Sequence, residues 1–291
     1  MKKTKLLLLF AMLMSIVKLN AVTYTYNGIK YDLNESKYTA SVISNSYSGD
    51  IIIPSTIMKS STSYTVNSIG RDAFKNCSNL NSVTIGNNVT MIEDFAFQGC
   101  NLSSIVIPNS VTTIGYNAFR SCTSLTTITF GNSLVTIDEG AFLGCRELTS
   151  VSLPNSLNTI GRWAFYGCNN LTNVNIPRNV ISIGGGAFSR CLSITVDSNN
   201  KKYDSRNNCN AVVETASNAL IAGCQNTIIS NDITSIGNYA FDGCIGLNSI
   251  IIPSNVTTIG TNAFEGCNGI TSLTIPGTVN SIGMYAFSGC I

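Results

Sequence analysis

The sequence predicts a repeat solenoid made mainly of β-structure, and this prediction depends on three residues that recur in a fixed register. An Ala-Phe pair recurs every 22 or 23 residues, apart from one gap of 53 residues. Each Phe is followed three residues later by Cys and preceded five residues earlier by Ile. The repeated residues are Phe74, Phe97, Phe119, Phe142, Phe165, Phe188, Phe241, Phe264 and Phe287. Such a period is typical of a solenoid, whose units bury their apolar residues only against neighbouring units.

A short alternating segment lies between successive repeated Phe residues and predicts a strand in each unit. In one of these segments, Leu148, Val151 and Leu153 are expected to point into the core. The intervening Ser150 and Ser152 are expected to point outward. Stacked units would align these strands as a parallel sheet along one face of the solenoid.

The remainder of each unit predicts the opposite face. Residues 111–115, Val-Thr-Thr-Ile-Gly, are typical of a second short strand. Residues 117–122, Asn-Ala-Phe-Arg-Ser-Cys, suit a helical turn. The predicted fold class is therefore a mainly β repeat solenoid, with a parallel sheet on one face and short strands and helical turns on the other.

The repeated unit can be written Leu-x-x-Ile-x-Ile-Pro-x-x-Val-x-x-Ile-Gly-x-x-Ala-Phe-x-x-Cys, and it extends over roughly residues 51–290. This unit resembles the BspA-like leucine-rich-repeat family of bacterial surface and secreted proteins. It lacks the Asn turn residue of the commoner leucine-rich pattern and carries the Phe-x-x-Cys motif in addition. The resemblance implies a leucine-rich-repeat solenoid over residues 51–291 and a role as a cell-surface or secreted adhesin.

The first residues of the chain predict export. A start with three Lys residues is followed by an apolar run from Leu6 to Val17, and Ala21 offers a small residue for cleavage. The apolar run is too short to cross a bilayer, which takes about 20 residues. Residues 1–21 are therefore predicted to be a secretory signal peptide, and the protein is predicted to be secreted or at the cell surface without a membrane span.

The charge balance argues against nucleic acid as a partner. Four of the 17 Lys and Arg residues lie within residues 1–21, so the remainder carries 13 basic and 15 acidic residues, a net charge of −2. Charged residues make up 11% of the whole chain, well below the roughly 25% that is typical of soluble domains. Nucleic-acid binding depends on clustered Lys and Arg that neutralise phosphates, and no such cluster is present in the sequence.

Two segments depart from the repeat. Residues 22–50 contain Asn27-Gly28 between β-favouring residues, which predicts a β-hairpin that caps the solenoid. Residues 197–226, inside the 53-residue gap, are predicted to contain a second hairpin. Two interpretations of this second segment remain open: a hairpin that the solenoid tolerates as an insertion, or a protrusion that contacts a ligand.

The chain contains eleven cysteines, and the nine in the repeat are predicted to form a ladder of buried thiols. Their side chains would point in the same direction from rung to rung, which strains a disulfide, and Cys also packs as a small hydrophobe. In the gap, pairing Thr215 with Asn218 would set Cys209 opposite Cys224, so these two form a possible disulfide. The sequence has no His and no Cys-x-x-Cys, so no metal site and no cofactor are predicted.

No catalytic residues are predicted, and the protein is predicted not to be an enzyme. The absence of His removes the commonest general base and every Ser-His or Cys-His nucleophile arrangement. Carboxylates do lie side by side at Glu93-Asp94 and Asp138-Glu139. They are expected to form a solvated surface.

Two sets of residues are predicted to contact a ligand. The first set contains the outward residues of successive strands, Thr84, Val106, Thr129, Ser152 and Asn175. The second set contains two aromatic residues that lie two positions before a repeated Phe, Trp163 and Tyr239. Aromatic residues are common anchors of interfaces. Two alternatives remain open: the small polar residues only solvate a sheet, and the aromatic residues are half-buried between units.

Together with the resemblance, these observations predict an exported, non-enzymatic binding protein. Its predicted role is that of a cell-surface adhesin that contacts a host matrix protein or glycan through the repeat sheet. The alternative is a structural module that stacks end to end through an open unit at Cys290-Ile291, where the next strand is expected to begin. In that case the predicted partner is a second copy of the chain.

Overall fold

A computed structural model describes residues 22–290 of the chain. The predicted signal peptide, residues 1–21, lies outside the described residues. The described chain is wound into stacked parallel coils, called rungs below, in which equivalent residues such as Ile92, Ile114 and Ile137 lie in register. The predicted repeat solenoid is therefore confirmed.

The chain enters the solenoid through three antiparallel strands. These are β1 (Val22–Tyr26), β2 (Ile29–Asn34) and β3 (Thr39–Val42), followed by β4 (Gly49–Ile53), β5 (Thr56–Lys59) and β6 (Thr62–Ile69). Asn27 and Gly28 join β1 to β2 with φ of 48° and 78°, as a two-residue hairpin with a type I′ turn requires. Strand β3 pairs in parallel with β6, so the antiparallel strands cover the first edge of the repeat sheet.

The longest continuous sheet contains the short Thr-Ile segments of the repeats. It continues from β6 through β8 (Met91–Ile92), β10 (Thr113–Ile114), β12 (Thr136–Ile137), β13 (Thr159–Ile160) and β15 (Ser182–Ile183). All of these short strands pair in parallel. Each contributes a buried Ile to the core, which is why the Ile five residues before the repeated Phe recurs so regularly.

The Leu-x-x-Ile-x-Ile segments form a second face, called the strand face below. Its strands are β4, β7 (Leu80–Ile85), β9 (Ser104–Val106), β11 (Thr127–Thr129), β14 (Val174–Ile176) and β16 (Ile194–Val196). They pair in parallel only two at a time, and single bridges link Thr127 to Ser150 and Ser150 to Asn173. Pro follows many of these segments, for example Pro108 and Pro154. Because Pro has no backbone N–H, the ladder stops there, and the predicted sheet on this face is interrupted.

Each rung turns through a corner around the repeated Phe, and this corner is a run of β-turns rather than a helical turn. The Ala73 N–H donates to Gly70 O within its own rung, whereas the Phe74 N–H donates to Ala96 O of the next rung. Because alternate N–H groups bond to the neighbouring rung, the i→i−4 bonds of an α-helix cannot form. Within residues 22–290, helix is confined to a 3-10 turn at Arg206–Asn208.

The repeated Phe rings stack into columns inside the core. The centroids of the Phe119 and Phe142 rings lie 5.2 Å apart, with an angle of 7° between the ring planes. This column is continuous from Phe74 to Phe188. A second column contains Phe241, Phe264 and Phe287. The buried apolar residues correspondingly form two clusters, one on either side of the gap in the repeat.

Residues of the gap form a second set of antiparallel strands, β17 (Tyr203–Asp204), β18 (Ala211–Glu214) and β19 (Ala219–Gly223), which starts a sheet in the way that β1 to β3 do and is called the second entry unit below. The strands that follow it are β20 (Ser235–Ile236), β21 (Thr258–Ile259) and β22 (Ser281–Ile282). Strand β18 is antiparallel to both β17 and β19, and β19 then pairs in parallel with β20. The first sheet starts with the same pairings, since β2 is antiparallel to both β1 and β3, and β3 then pairs in parallel with β6. The predicted hairpin is therefore present, and it starts a second six-stranded sheet.

Candidate binding surfaces

The strand face places all five strand residues predicted from the sequence in one exposed row. Thr84, Val106, Thr129, Ser152 and Asn175 are all exposed. Thr129 lies directly beside Val106 in the parallel register. The first three of these residues line a shallow recess of about 510 Å³. The row carries no charged side chain, so it offers hydroxyl, amide and methyl groups only.

Exposed aliphatic residues interrupt this polar row. Val106 is 64% exposed, and Ile251, at the equivalent position of a later rung, is 84% exposed. Ile228 and Ile251 line a second recess of about 310 Å³. Apolar contact points beside hydrogen-bonding groups are the combination found at protein interfaces. The strand face is therefore suited to contact with another molecule.

Trp163 and Tyr239 lie at the corners, on a different side of the rungs from the strand face. Their half-buried rings pack edge to face, with centroids 5.9 Å apart. The guanidinium carbon of Arg162 lies 3.6 Å from the Trp163 ring centroid and 4.3 Å from that of Tyr239. The structure thus brings these two predicted residues together around a cation, and it separates them from the five strand residues.

Both aromatic residues occupy a corner position with a left-handed backbone. The position two residues before the repeated Phe has φ between 52° and 66° in every rung. It is occupied in turn by Asp72, Phe95, Asn117, Gly140, Trp163, Gly186, Tyr239, Asn262 and Tyr285. Gly, Asn and Asp adopt this conformation readily, but a bulky residue there is strained by about 1–3 kcal/mol. The strain indicates that the rings of Trp163 and Tyr239 contribute something that Gly or Asn would not.

Several polar residues around Trp163 were not predicted from the sequence. Trp163 Nε1 donates a hydrogen bond to Asp242 Oδ2 at 2.9 Å. Arg190 Nε donates to Gly243 O at 2.7 Å, and the Arg190 guanidinium lies 5.2 Å from the ring centroid of Tyr166. Burial raises the pKa of Asp242, although the bond from Trp163 acts in the opposite direction. The bonds from Trp163 to Asp242 and from Arg190 to Gly243 join the two sides of the gap in the repeat.

A run of glycines between the two aromatic rungs makes room for these rings. A Cβ atom on Gly186 would lie 2.6 Å from Cδ1 of Trp163, and one on Gly185 would lie 3.0 Å from Cβ of Tyr239. Both distances are shorter than ordinary van der Waals contact, so a side chain here would displace the rings. The sequence Gly184-Gly185-Gly186 is the signal that could have located this cluster.

The repeat cysteines form the predicted ladder of free, buried thiols. Seven of the nine repeat thiols donate to the carbonyl oxygen of the repeated Phe of the preceding rung, as Cys122 does to Phe97 at 3.0 Å and Cys145 to Phe119 at 3.2 Å. Burial raises the pKa of Cys244 to about 12. The ladder therefore satisfies corner carbonyl groups in the core.

Cys209 and Cys224 are also free thiols, which corrects the possible disulfide predicted from the sequence. A β-bulge between Val212 and Val213 shifts the register of β18 against β19 by one residue. Cys209 is therefore not opposite Cys224, and Cys224 Sγ donates to Asn210 O at 3.2 Å instead.

We expect Cys145 and Cys168 to resist alkylation while the protein is folded. Burial holds the pKa of both thiols well above the ordinary value, so little of the reactive thiolate is present at about pH 8. Brief iodoacetamide treatment followed by peptide mass spectrometry should label chiefly Cys290, which is partly exposed. After unfolding without reductant, all eleven cysteines should react. Rapid native labelling of Cys145, or thiols that stay unreactive after unfolding, would contradict this expectation.

The two carboxylate pairs, Glu93-Asp94 and Asp138-Glu139, lie at the surface. Asp94 Oδ2 is paired with Arg71 Nη1 at 3.1 Å, and both side chains are largely exposed. Within the described residues, no group of three or more His, Cys, Asp or Glu side chains is placed to hold a metal ion. Residues 22–290 form no helix with the length and apolar character that crossing a bilayer would take.

The β-turn corners, the buried Phe and Cys columns and the outward strand face define the class of the fold as a leucine-rich-repeat solenoid. The sequence matches the BspA type leucine rich repeat region, in six copies, over residues 44–146, 67–195 and 219–291. These matches extend over more than half of the chain. The chain therefore belongs to the BspA-type leucine-rich-repeat family, as the sequence resemblance implied.

Solved structures of bacterial repeat proteins are similar over most of the chain. A leucine-rich cell surface protein from Faecalibacterium prausnitzii is 27% identical with a TM-score of 0.63, covering 92% of this chain and 86% of that one. The pneumococcal vaccine antigen PcpA is 17% identical, TM-score 0.64, covering 92% and 79%. A leucine-rich repeat protein from Eubacterium ventriosum is 21% identical, TM-score 0.59, covering 92% and 70%. The last two show the fold alone. No curated relative matches the sequence.

Proposed function

We propose that this protein is exported to the cell surface and acts there as a non-enzymatic adhesin. It contacts a host matrix protein or glycan through the strand face. Membership of the BspA-type family and the similarity to the cell surface protein of Faecalibacterium prausnitzii support a surface location. The signal-peptide pattern of residues 1–21 supports export.

The observation that carries the proposal is the exposed and uncharged row of the strand face. Hydroxyl and amide groups from Thr84 to Asn175 can both donate and accept hydrogen bonds. Such short side chains lose little conformational entropy when a partner orders them. Charged groups such as Arg71 and Arg162 lie at the corners instead. The strand face therefore keeps a continuous area free of long, hydrated side chains.

Placing two Lys residues in this row should remove binding. We expect the double variant Ser152→Lys/Asn175→Lys to bind at least about tenfold more weakly, equivalent to about 1.4 kcal/mol. Each Lys adds a strongly hydrated charge that contact with a partner would have to desolvate. The measurement is surface plasmon resonance of the purified protein against immobilised collagen, fibronectin, laminin and a panel of glycans, at more than one salt concentration.

The double variant Ser182→Lys/Asn280→Lys is the matched control. It makes the same chemical changes at exposed positions outside the strand face, so its binding should be unchanged. Equal loss in both variants would point to a general effect of charge and contradict the proposed surface. A folded protein that binds none of these probes would contradict the adhesin role. If it also formed oligomers as its concentration rises, the assembly alternative would be favoured.

A further inference from the structure

A small recess opens at the corner beside the Trp163 ring. It is lined by Leu143, Trp163, Tyr166 and Asp242 and has a volume of about 190 Å³. Pockets for drug-sized ligands occupy roughly 300–1,000 Å³. This recess is therefore large enough for one ring or one side chain of a larger ligand. An aliphatic side chain and two aromatic rings form most of its wall, with one carboxylate among them.

The Asp242 carboxylate has one occupied and one open oxygen. Trp163 Nε1 donates to Oδ2 at 2.9 Å, and this bond fixes the carboxylate against the edge of the indole. No residue between 22 and 290 donates a hydrogen bond to Oδ1. The Asp242 side chain is half-buried, and this burial raises its pKa. A ligand hydroxyl in the recess would supply the missing hydrogen bond.

The charges around the recess favour a neutral ligand. Arg162 lies over the Trp163 ring, 3.6 Å from its centroid, and Arg190 lies 5.2 Å from the centroid of Tyr166. The two guanidinium groups repel a cation and Asp242 repels an anion, and the Glu265 carboxylate, which also acts on Asp242, balances these charges. A neutral ring with several hydroxyl groups avoids both penalties.

A sugar ring matches the two kinds of surface in the recess. One face of a pyranose carries C–H groups, which are apolar and slightly positive and pack against the negative face of an aromatic ring. Its edge carries hydroxyl groups, which can donate to a carboxylate. Tyr166 and Trp163 supply the aromatic wall, and Asp242 supplies the acceptor. The strained backbone of Trp163, with φ of 55°, agrees with a ring retained for contact.

We propose that the recess formed by Leu143, Trp163, Tyr166 and Asp242 is a second ligand site, which binds one neutral pyranose unit of a glycan. The aromatic rings pack on the C–H face of the sugar, and Asp242 Oδ1 accepts a hydrogen bond from a hydroxyl of the ring. The site lies apart from the strand face, so its test is independent of the function proposed for that face.

Trp163 is the single Trp of the chain, so its fluorescence reports on this recess alone. Titration with neutral oligosaccharides that end in glucose, galactose, mannose or N-acetylglucosamine should shift its emission saturably for at least one of them. The Asp242→Ala variant should bind that sugar at least about tenfold more weakly, because it lacks the acceptor. On an array of the same glycans, Trp163→Gly should not bind. Gly occupies the equivalent corner position at Gly140 and Gly186, so this variant is compatible with the local backbone.

Tyr285→Gly is the matched control, since it removes an aromatic ring from the same corner position in a distant rung. It should bind glycans like the unmodified protein, and so should Ser152→Lys/Asn175→Lys, which separates this site from the strand face. Circular dichroism melts establish that each variant is folded. An emission shift with a trimethylated lysine derivative and with no glycan would overturn the proposal in favour of a cation site. Glycan binding that persists in Trp163→Gly, or no shift with any glycan, would also overturn it.

Discussion

Replacing Phe142 with Ala should lower the free energy of unfolding by about 3–5 kcal/mol. The Phe142 ring is fully buried and lies 5.2 Å, centroid to centroid, from both Phe119 and Phe165. Phe130 packs against its edge at 5.8 Å. Truncation would remove the apolar area of one ring and leave a cavity that the rigidly stacked neighbours cannot fill. Guanidinium titration followed by circular dichroism measures this loss.

Phe287→Ala is the control for this first variant. Its ring belongs to the same kind of column but is only partly buried, and it stacks on Phe264 at 5.3 Å. With one stacking neighbour among the described residues instead of two, we expect less than half the loss seen for Phe142→Ala. Equal losses in the two variants would show that stacking along the column adds little to the stability of a rung.

The sequence predicted the core of the fold because each rung buries the same side chains. Every repeated Phe and its Ile and Cys partners fall at equivalent positions of the rungs, and in all the described rungs before that of Phe287 these residues are buried. The strand residues from Thr84 to Asn175 were predicted for the same reason, since alternation assigns each one to the outward side. Their exposure in the structure follows directly from that alternation.

Other features could not be predicted, because they depend on contacts that alternation does not encode. Strand β19 reads Ala-Leu-Ile-Ala-Gly, which is apolar on both sides. Such a strand gives no indication of its register, so the bulge beside Val212 and the separation of Cys209 from Cys224 were missed. Trp163 and Asp242 are 79 residues apart, and only the folded second entry unit brings them into contact.

The second entry unit has a direct energetic role, because strand β18 contributes to both apolar clusters. Val212 is buried in the N-terminal cluster, and Val213, the next residue, is buried in the C-terminal cluster. Both side chains are completely inaccessible to solvent. Because adjacent residues of a strand point to opposite faces, the hairpin serves as a wall between two stacks of rungs. In a solenoid, stability is the sum of such local contacts between neighbouring units.

Replacing Val213 with Asp should therefore unfold one part of the molecule selectively. The variant places an unpaired carboxylate in the C-terminal cluster, at a cost on the order of 3–5 kcal/mol. We expect amide hydrogen exchange to accelerate strongly over residues 229–290, whose rungs stack on the hairpin. Protection over residues 29–183, which pack in the N-terminal cluster, should persist. Hydrogen exchange followed by mass spectrometry measures both regions in one experiment.

Ala216→Asp provides the control, since Ala216 is exposed in the turn between β18 and β19 and the added charge remains in water. Its exchange pattern should match that of the unmodified protein. Val212→Asp should give the mirror image of Val213→Asp, with the rungs before the hairpin losing protection first, because Val212 belongs to the N-terminal cluster. If either Val variant instead accelerated exchange evenly over residues 22–290, the two stacks would form one cooperative unit. The hairpin would then join the stacks rather than divide them.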